Sequence, residues 1–473
     1  MTDWCKLPAT ELGAAYRAGR VSPVEVLEQV LARIARVNPQ LNAIVTLDGR
    51  GAREAAQASE QRWRTGGALG PLDGVPITVK DNIPVRGLRT TWGSRLYTDF
   101  VPERDELPVA KLRAAGAVIL GKTNVPEFTL QGYTDNPLFG PTRNPWDPAL
   151  TPGGSSGGAV AALAAGFGPL AIGTDGGGSI RRPASHAGLV GLKPSRGRVA
   201  RCDGFPQILL DYEVIGPMAR TVGDAVLVMR AVSTSDPRDP TSAAFEGRPF
   251  ELPETVPLQR ILYVPTFGDA PVDPEIAASV ASSARALERL GHRVEEARQF
   301  DLADPVNEIW TVFSQVGLAW LLAQHRDWRG KIGAALEAMA NAGTETPAAR
   351  FFEALDRVQT MRARLAALFA DCDLLLTPSA AALPWPATEP HPPTIAGRPV
   401  GPRGPAVFTG FVNAAGLPAI SLPCTPSSSG LPIGMQLIAP FGDDGLLCAV
   451  AAQFERAHPW ADHWPALVGT DVV

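Results

Sequence analysis

Apolar residues at Val24, Leu27, Leu31 and Ile34 recur at helical spacing, so an amphipathic helix is expected there. Its start is encoded in Ser22-Pro23-Val24-Glu25: a serine that can cap, a proline at the first helical position, and a glutamate placed to close a capping box. Pro39 is expected to end it. Beyond Pro71 the pattern changes. Gly74-Val75-Pro76-Ile77-Thr78-Val79 reads as a short buried strand, residues 108–115 as a helix and residues 117–120 as a second strand. The alanine-rich residues 159–165 read as a helix and residues 170–173 as a strand, while Thr221 caps a helix running to about Val232. That alternation predicts an α/β core.

From about residue 233 to 398 the pattern turns helical. Asp273-Pro274-Glu275 opens a helix expected to end at Gly291, and residues 307–325 form an apolar helix carrying Trp310, Phe313 and Trp320. We read this stretch as a helix-rich elaboration within a single domain, 1–473, with residues 419–422 and 434–438 returning as strands to the main sheet. Proline is abundant, 45 residues, about twice the usual ~5% share. The prolines are spread throughout, which argues for many ordered turns and against one flexible linker.

Charge narrows the function classes. The net charge is −5 with no block of like charges, so a basic nucleic-acid face is not expected. No apolar run reaches the ~18 residues of a membrane helix, and residues 1–9 lack a leader pattern. The five cysteines are scattered without a CxxC spacing, which suggests free thiols in a reducing, cytoplasmic compartment. The six histidines are equally scattered, so no metal site is expected; His186 alone lies near a glycine-rich motif and reads as structural.

Two motif matches mislead. Gly116 to Thr123 fits GxxxxGK[ST] letter for letter, but its four middle residues are an apolar strand and Asn124-Val125-Pro126 cannot continue as a regular helix. Gly153-Gly154-Ser155-Ser156-Gly157 fits GxSxG, yet Pro145, Pro148 and Pro152 occupy the place of the required strand, and no later histidine has a distinctive context.

Three segments hold reactive groups in contexts that can present them. Lys80 ends a strand, Ser155 precedes a helix, and Ser179 follows both a strand and Gly176-Gly177-Gly178. Strand C-termini of open α/β sheets are common locations for active sites. Each residue also has a plain reading: Lys80-Asp81 as a surface pair, Ser155 and Ser156 as helix caps, and the glycines as a tight turn. Together they make chemical sense. A serine nucleophile needs a base, and without a usable histidine a lysine kept neutral by burial can serve. Glycines before the serine leave N–H groups uncrowded for a developing oxyanion.

The longer strings resemble the amidase-signature family. They are Gly153 to Gly158; Gly173-Thr174-Asp175-Gly176-Gly177-Gly178-Ser179-Ile180-Arg181; Pro183-Ala184; and Gly188 to Pro194. Gly74 to Asp81, Gly121-Lys122-Thr123-Asn124, Gly216 to Arg220 and Asn413 to Ala419 belong to the same resemblance, which spans about residues 7–440. It implies a mixed central sheet flanked by helices, with Ser179 as nucleophile, Ser155 as the middle serine after a cis peptide, and Lys80 as base. Gly176, Gly177 and Gly178 would form the oxyanion hole. Where the family often has threonine, this chain has Gly176, which is expected to widen the site floor.

The resemblance implies a cofactor-free acyl-enzyme hydrolase of small aryl or alkyl amides or carbamates, with urethanase or esterase side activity, working as monomer or homodimer. By position Phe128, Thr129, Leu130 and Gln131 are expected to border the substrate pocket. Trp310 and Phe313 either roof it or are ordinary core aromatics. The rival within the family is a glutamine-hydrolysing subunit of a tRNA-dependent amidotransferase. Such subunits share a tyrosine-rich segment before the last third, whereas residues 350–369 here contain no tyrosine. A non-catalytic binding protein is disfavoured because all three triad positions are filled.

Overall fold

A computed structural model of the chain describes residues 2–304 and 306–469, with nothing stated for the side chains of Asn307 and Gly469. Met1, Pro305 and residues 470–473, part of the single-domain expectation, lie outside the described residues.

Eleven strands form one sheet. In chain order they are β1 (Ile44–Leu47), β2 (Pro76–Lys80), β3 (Val118–Thr123), β4 (Leu170–Asp175), β5 (Val190–Lys193), β6 (Val214–Ala219), β7 (Arg260–Tyr263), β8 (Arg293–Glu296), β9 (Leu374–Pro378), β10 (Ala419–Pro423) and β11 (Gly434–Ile438). Their spatial order is β1-β3-β2-β4-β6-β5-β10-β11-β9-β7-β8. The β3-β2-β4 and β9-β7-β8 blocks are parallel and the pairings between them antiparallel, so the sheet is mixed and helix-flanked.

The strands expected near residues 74–79, 117–120, 170–173, 419–422 and 434–438 are β2, β3, β4, β10 and β11. The stretch 233–398 differs from expectation in supplying β7, β8 and β9 as well as helices, so it extends the sheet itself. The first amphipathic helix, Pro23–Leu41, has the full Ser22–Glu25 capping box but runs through Pro39. Less than a turn of helix follows that proline, and the apolar face continues to a buried Leu41, so packing outweighs the local penalty.

Two features position the site. Strands β2 and β4 lie side by side and parallel, with Val79 opposite Ile172, so their C-terminal ends emerge together. The helix Gly157–Ala164 is built of glycine, alanine, valine and leucine and is buried along its whole length. A Cβ on its Gly158 would sit 2.6 Å from Asn124 O, a clash that only glycine avoids. The Gly116–Thr123 segment contains strand β3, which disposes of the phosphate-loop reading. Its Lys122 is fully buried, donating to Ile83 O and Thr90 Oγ1 and facing Asp81 at 3.6 Å.

Candidate active site

Lys80, at the end of β2, has no exposed surface, and Asp81 is equally buried, so the two are not a solvated surface pair. Lys80 Nζ lies 2.8 Å from Ser155 Oγ, 2.8 Å from Thr174 Oγ1 and 3.1 Å from Thr174 O. Asn82 Nδ2 donates to the same Thr174 hydroxyl at 3.0 Å. Burial pulls the Lys80 pKa down to about 7, against the opposing pull of the Glu213 and Asp175 carboxylates. A neutral amine has two N–H donors and one lone pair. With both donors given to Thr174, the lone pair faces the Ser155 O–H.

The Gly154–Ser155 peptide is cis. No strand precedes Ser155, so the nucleophile-elbow reading fails on architecture. The next residue joins the two serine loops: Ser156 N–H donates to Ser179 O at 3.2 Å. Ser179 itself is almost buried, yet it faces a cavity of about 550 Å³.

Asp175 shapes the Ser179 loop. Its carboxylate accepts the Gly178 N–H at 2.7 Å, the Ile180 N–H at 3.0 Å, and Arg181 Nη2 and Nε at 2.9 and 3.0 Å. Burial alone would raise its pKa, but Arg181 outweighs that and holds the carboxyl well below the usual range. Arg181 also donates to Thr409 O, Asn413 Oδ1 and Gln436 Oε1, tying the loop to the second half of the chain. Gly178 has φ +115°, and a Cβ there would collide with the Thr409 hydroxyl, so only glycine fits. Its N–H is committed to Asp175, unlike the expectation that it points at an oxyanion. The amides of Gly176 and Gly177 make no hydrogen bond among the described residues.

Of the expected pocket residues, Thr129, Leu130, Gln131 and Trp310 line the cavity. Trp310 packs over Gly177, where a Cβ would meet its indole nitrogen at 2.9 Å. Phe128 and Phe313 do not line it. Phe128 turns into the core edge-on to Trp92, and Phe313 packs against Tyr212 and Phe351, each burying its ring away from the cavity. Gly176 does not widen the floor either, because Leu209 closes in to 2.7 Å from where a Cβ would stand.

His186 is buried with Nε2 on Ala382 O, and burial lowers its pKa to about 4, consistent with a structural role. Among the described residues no group of three His, Cys, Asp or Glu is placed to hold a metal. All five cysteines are unpaired.

Thr174, Asp175, Arg181, Thr409 and Asn413 support the site, although sequence reasoning gave them no role. Thr174, Asp175, Arg181 and Asn413 lie inside the strings that carried the resemblance. An acid followed by glycines and an arginine was the available signal.

The site thus brings a buried lysine bonded to Ser155 onto loops tied to that of Ser179, which faces a cavity. The chain belongs to the amidase-signature family of carbon–nitrogen hydrolases: the family pattern described as Amidase matches residues 25–448. It is 37% identical to a glutamyl-tRNA(Gln) amidotransferase subunit from Synechococcus sp. (strain CC9605), over 93% of this chain and 94% of that one. It is 35% identical to an acylamidase from Rhodococcus erythropolis, over 97% of each. A bacterial aryl acylamidase of the amidase signature family superposes with a TM-score of 0.90 at 31% identity, over 98% of this chain and 99% of that one.

Proposed function

We propose that the chain hydrolyses small aryl or alkyl amides or carbamates through an acyl-enzyme on Ser179. The observation that carries this reading is the buried 2.8 Å contact between Lys80 Nζ and Ser155 Oγ beside the cavity-facing Ser179. Neutral Lys80 takes a proton through Ser155 as Ser179 attacks the carbonyl carbon. The oxyanion is held by the amides of Gly176 and Gly177, and the proton passes to the departing amine. Water, activated by the same relay, then releases the acid and frees Ser179. The cavity, about 550 Å³, lies in the range of ~300–1,000 Å³ usual for small-molecule sites. Its largely apolar wall, with Leu130, Leu336, Met339 and Trp310, suits an aryl or alkyl group.

The second reading, a glutamine-hydrolysing subunit working within a complex, draws on full-length relatives such as the Synechococcus protein. The missing tyrosines at 350–369 do not outweigh that likeness. The two readings separate in one assay: the purified chain alone is given an anilide, a primary amide, a carbamate, an ester and L-glutamine. Turnover of anilide or carbamate by the isolated chain supports the first. Turnover of glutamine alone supports the second and overturns the first. Either reading fits a cytoplasmic protein with reduced thiols; no described helix is long and apolar enough to cross a membrane. The first fits a monomer or homodimer.

A further inference from the structure

Four tryptophans are buried among the described residues: Trp92, Trp310, Trp385 and Trp460. An indole has one donor and no acceptor, so a buried one needs a partner for its N–H. Three of the four have it. Trp92 Nε1 donates to Thr129 Oγ1 at 3.2 Å, Trp385 Nε1 to Glu389 O at 2.8 Å and Trp460 Nε1 to Arg220 O at 2.9 Å. Trp310 is the exception. It is 7% exposed and lines the cavity that Ser179 faces. Its indole N–H meets no acceptor among the described residues, and the nitrogen is open to the cavity rather than sealed in protein.

The indole is fixed before any substrate arrives. Trp310 sits on the helix Val306–Ala323 and stacks on Tyr212 with ring centroids 5.9 Å apart. Its carbonyl accepts the Ser314 hydroxyl at 2.7 Å, one turn further along that helix. Its nitrogen is the ring atom nearest the Ser179 loop: a Cβ on Gly177 would lie 2.9 Å from Nε1, 3.1 Å from Cε2 and 3.3 Å from Cζ2. The Cβ and N of one residue stand about 2.5 Å apart, so Nε1 lies within about 5.4 Å of the Gly177 amide nitrogen. Two hydrogen bonds of about 2.9 Å span that distance through one shared oxygen. The Gly177 amide is uncommitted, whereas the Gly178 amide is taken by Asp175. A side chain at 177 would push the indole away, and glycine there lets the two N–H groups converge.

We propose that the Trp310 indole N–H is an oxyanion donor, joining the Gly177 amide on the carbonyl oxygen as Ser179 attacks. A donor held in place by packing needs no reorganisation when charge develops on that oxygen. Beside an almost buried serine, it also acts with little screening by water. The donor comes from the helix-rich second half of the chain, outside both serine loops. This rests on the reading of Ser179 as nucleophile and adds a catalytic residue to it.

The test replaces Trp310 with 3-benzothienylalanine by codon suppression, which keeps the ring shape and exchanges the N–H for sulfur. Trp310→Phe is made alongside, with thermal melts confirming that both proteins fold. On the amide or carbamate that wild type turns over, each change should lower kcat by about tenfold or more and leave KM within about threefold, because the bond forms in the transition state. Phenylboronic acid gives a second readout. The Ser179 oxygen adds to boron, its proton leaves to the Lys80 relay and no bond to boron breaks, so a boron-bound oxygen takes the oxyanion position. Its affinity should fall with kcat in the benzothienyl protein, and the Trp310 indole proton should move downfield when it binds wild type. A smaller fall in kcat, or a loss confined to KM, overturns the donor and leaves Trp310 as cavity wall. If no amide or carbamate is turned over, the hydrolytic reading falls and the boronate decides alone. Binding that is lost in Ser179→Ala and weakened in the benzothienyl protein upholds the donor. Binding that is absent, or equal in wild type and the benzothienyl protein, overturns it.

Discussion

Removing the charge of Glu213 should move the pH dependence of catalysis toward acid. On the proposed mechanism Lys80 works as a base only when neutral, so activity is expected to be absent below its pKa and to appear above it. With that pKa near 7, kcat/KM in the wild type should rise about tenfold between pH 6 and 8 and then level off. Burial lowers the Lys80 pKa, and the Glu213 carboxylate is the foremost group opposing it. Glu213→Gln removes that opposition and leaves an amide that can still accept from Arg201, whose other partner Glu106 stays at 2.8 Å. The midpoint should therefore fall. Each half pH of displacement raises kcat/KM at pH 6 by about two- to threefold and leaves the alkaline plateau nearly unchanged. The assay is kcat/KM from pH 5 to 9 on an uncharged amide, in parallel for wild type and variant, with thermal melts at both ends. Glu308→Gln, at an exposed carboxylate that pairs with Arg357 and does not line the cavity, serves as the control. A midpoint that stays or moves up in Glu213→Gln, or a flat wild-type profile, would refute a lysine base tuned by this carboxylate.

Ser179→Ala and Ser155→Ala should each abolish turnover of a chromogenic anilide while leaving the melt within a few degrees of wild type; hydrolysis near the wild-type rate would remove that serine from the relay. Lys80→Met should be inactive, and its stability advantage over wild type should grow as pH falls. The depressed pKa means that wild type bears no penalty from this group above the ordinary value of 10.5 and the full penalty below about 7. Its size is about 5 kcal/mol, and urea unfolding at pH 7 and 10 reads the change; an advantage that is constant across that range contradicts the depressed pKa. Asp175→Asn, which breaks the buried pair with Arg181, should cost about 3–5 kcal/mol of stability. It should also lower kcat more than the melt alone explains, because the Ser179 loop loses its anchor; activity close to wild type would show that the loop holds without it.

How much of this was legible follows from where each signal lies along the chain. The buried strands β2, β3 and β4 are runs of apolar residues next to glycine or proline punctuation, so a local window finds them. Strand β8, Arg-Val-Glu-Glu, is mostly exposed at the sheet edge, and β7 alternates only weakly; neither has a pattern that a window can separate from a loop. The segments that hold Lys80, Ser155 and Ser179 were readable because glycine and serine cluster there for local reasons, whereas the wall of the pocket was not. Phe128 and Phe313 are as apolar and aromatic as Trp310. What separates them is a left-handed turn at Phe128, with φ +52°, that points its ring at Trp92, and a helix rotation that sets Phe313 against Tyr212. Arg182 is the sharper case. In the sequence it is one of two adjacent arginines, and nothing local distinguishes it from Arg181. Folding gives Arg181 an aspartate, an asparagine and a glutamine, and gives Arg182 a cavity. The difference between these two arginines is thus set in part by partners more than two hundred residues from Arg181, Asn413 and Gln436 among them.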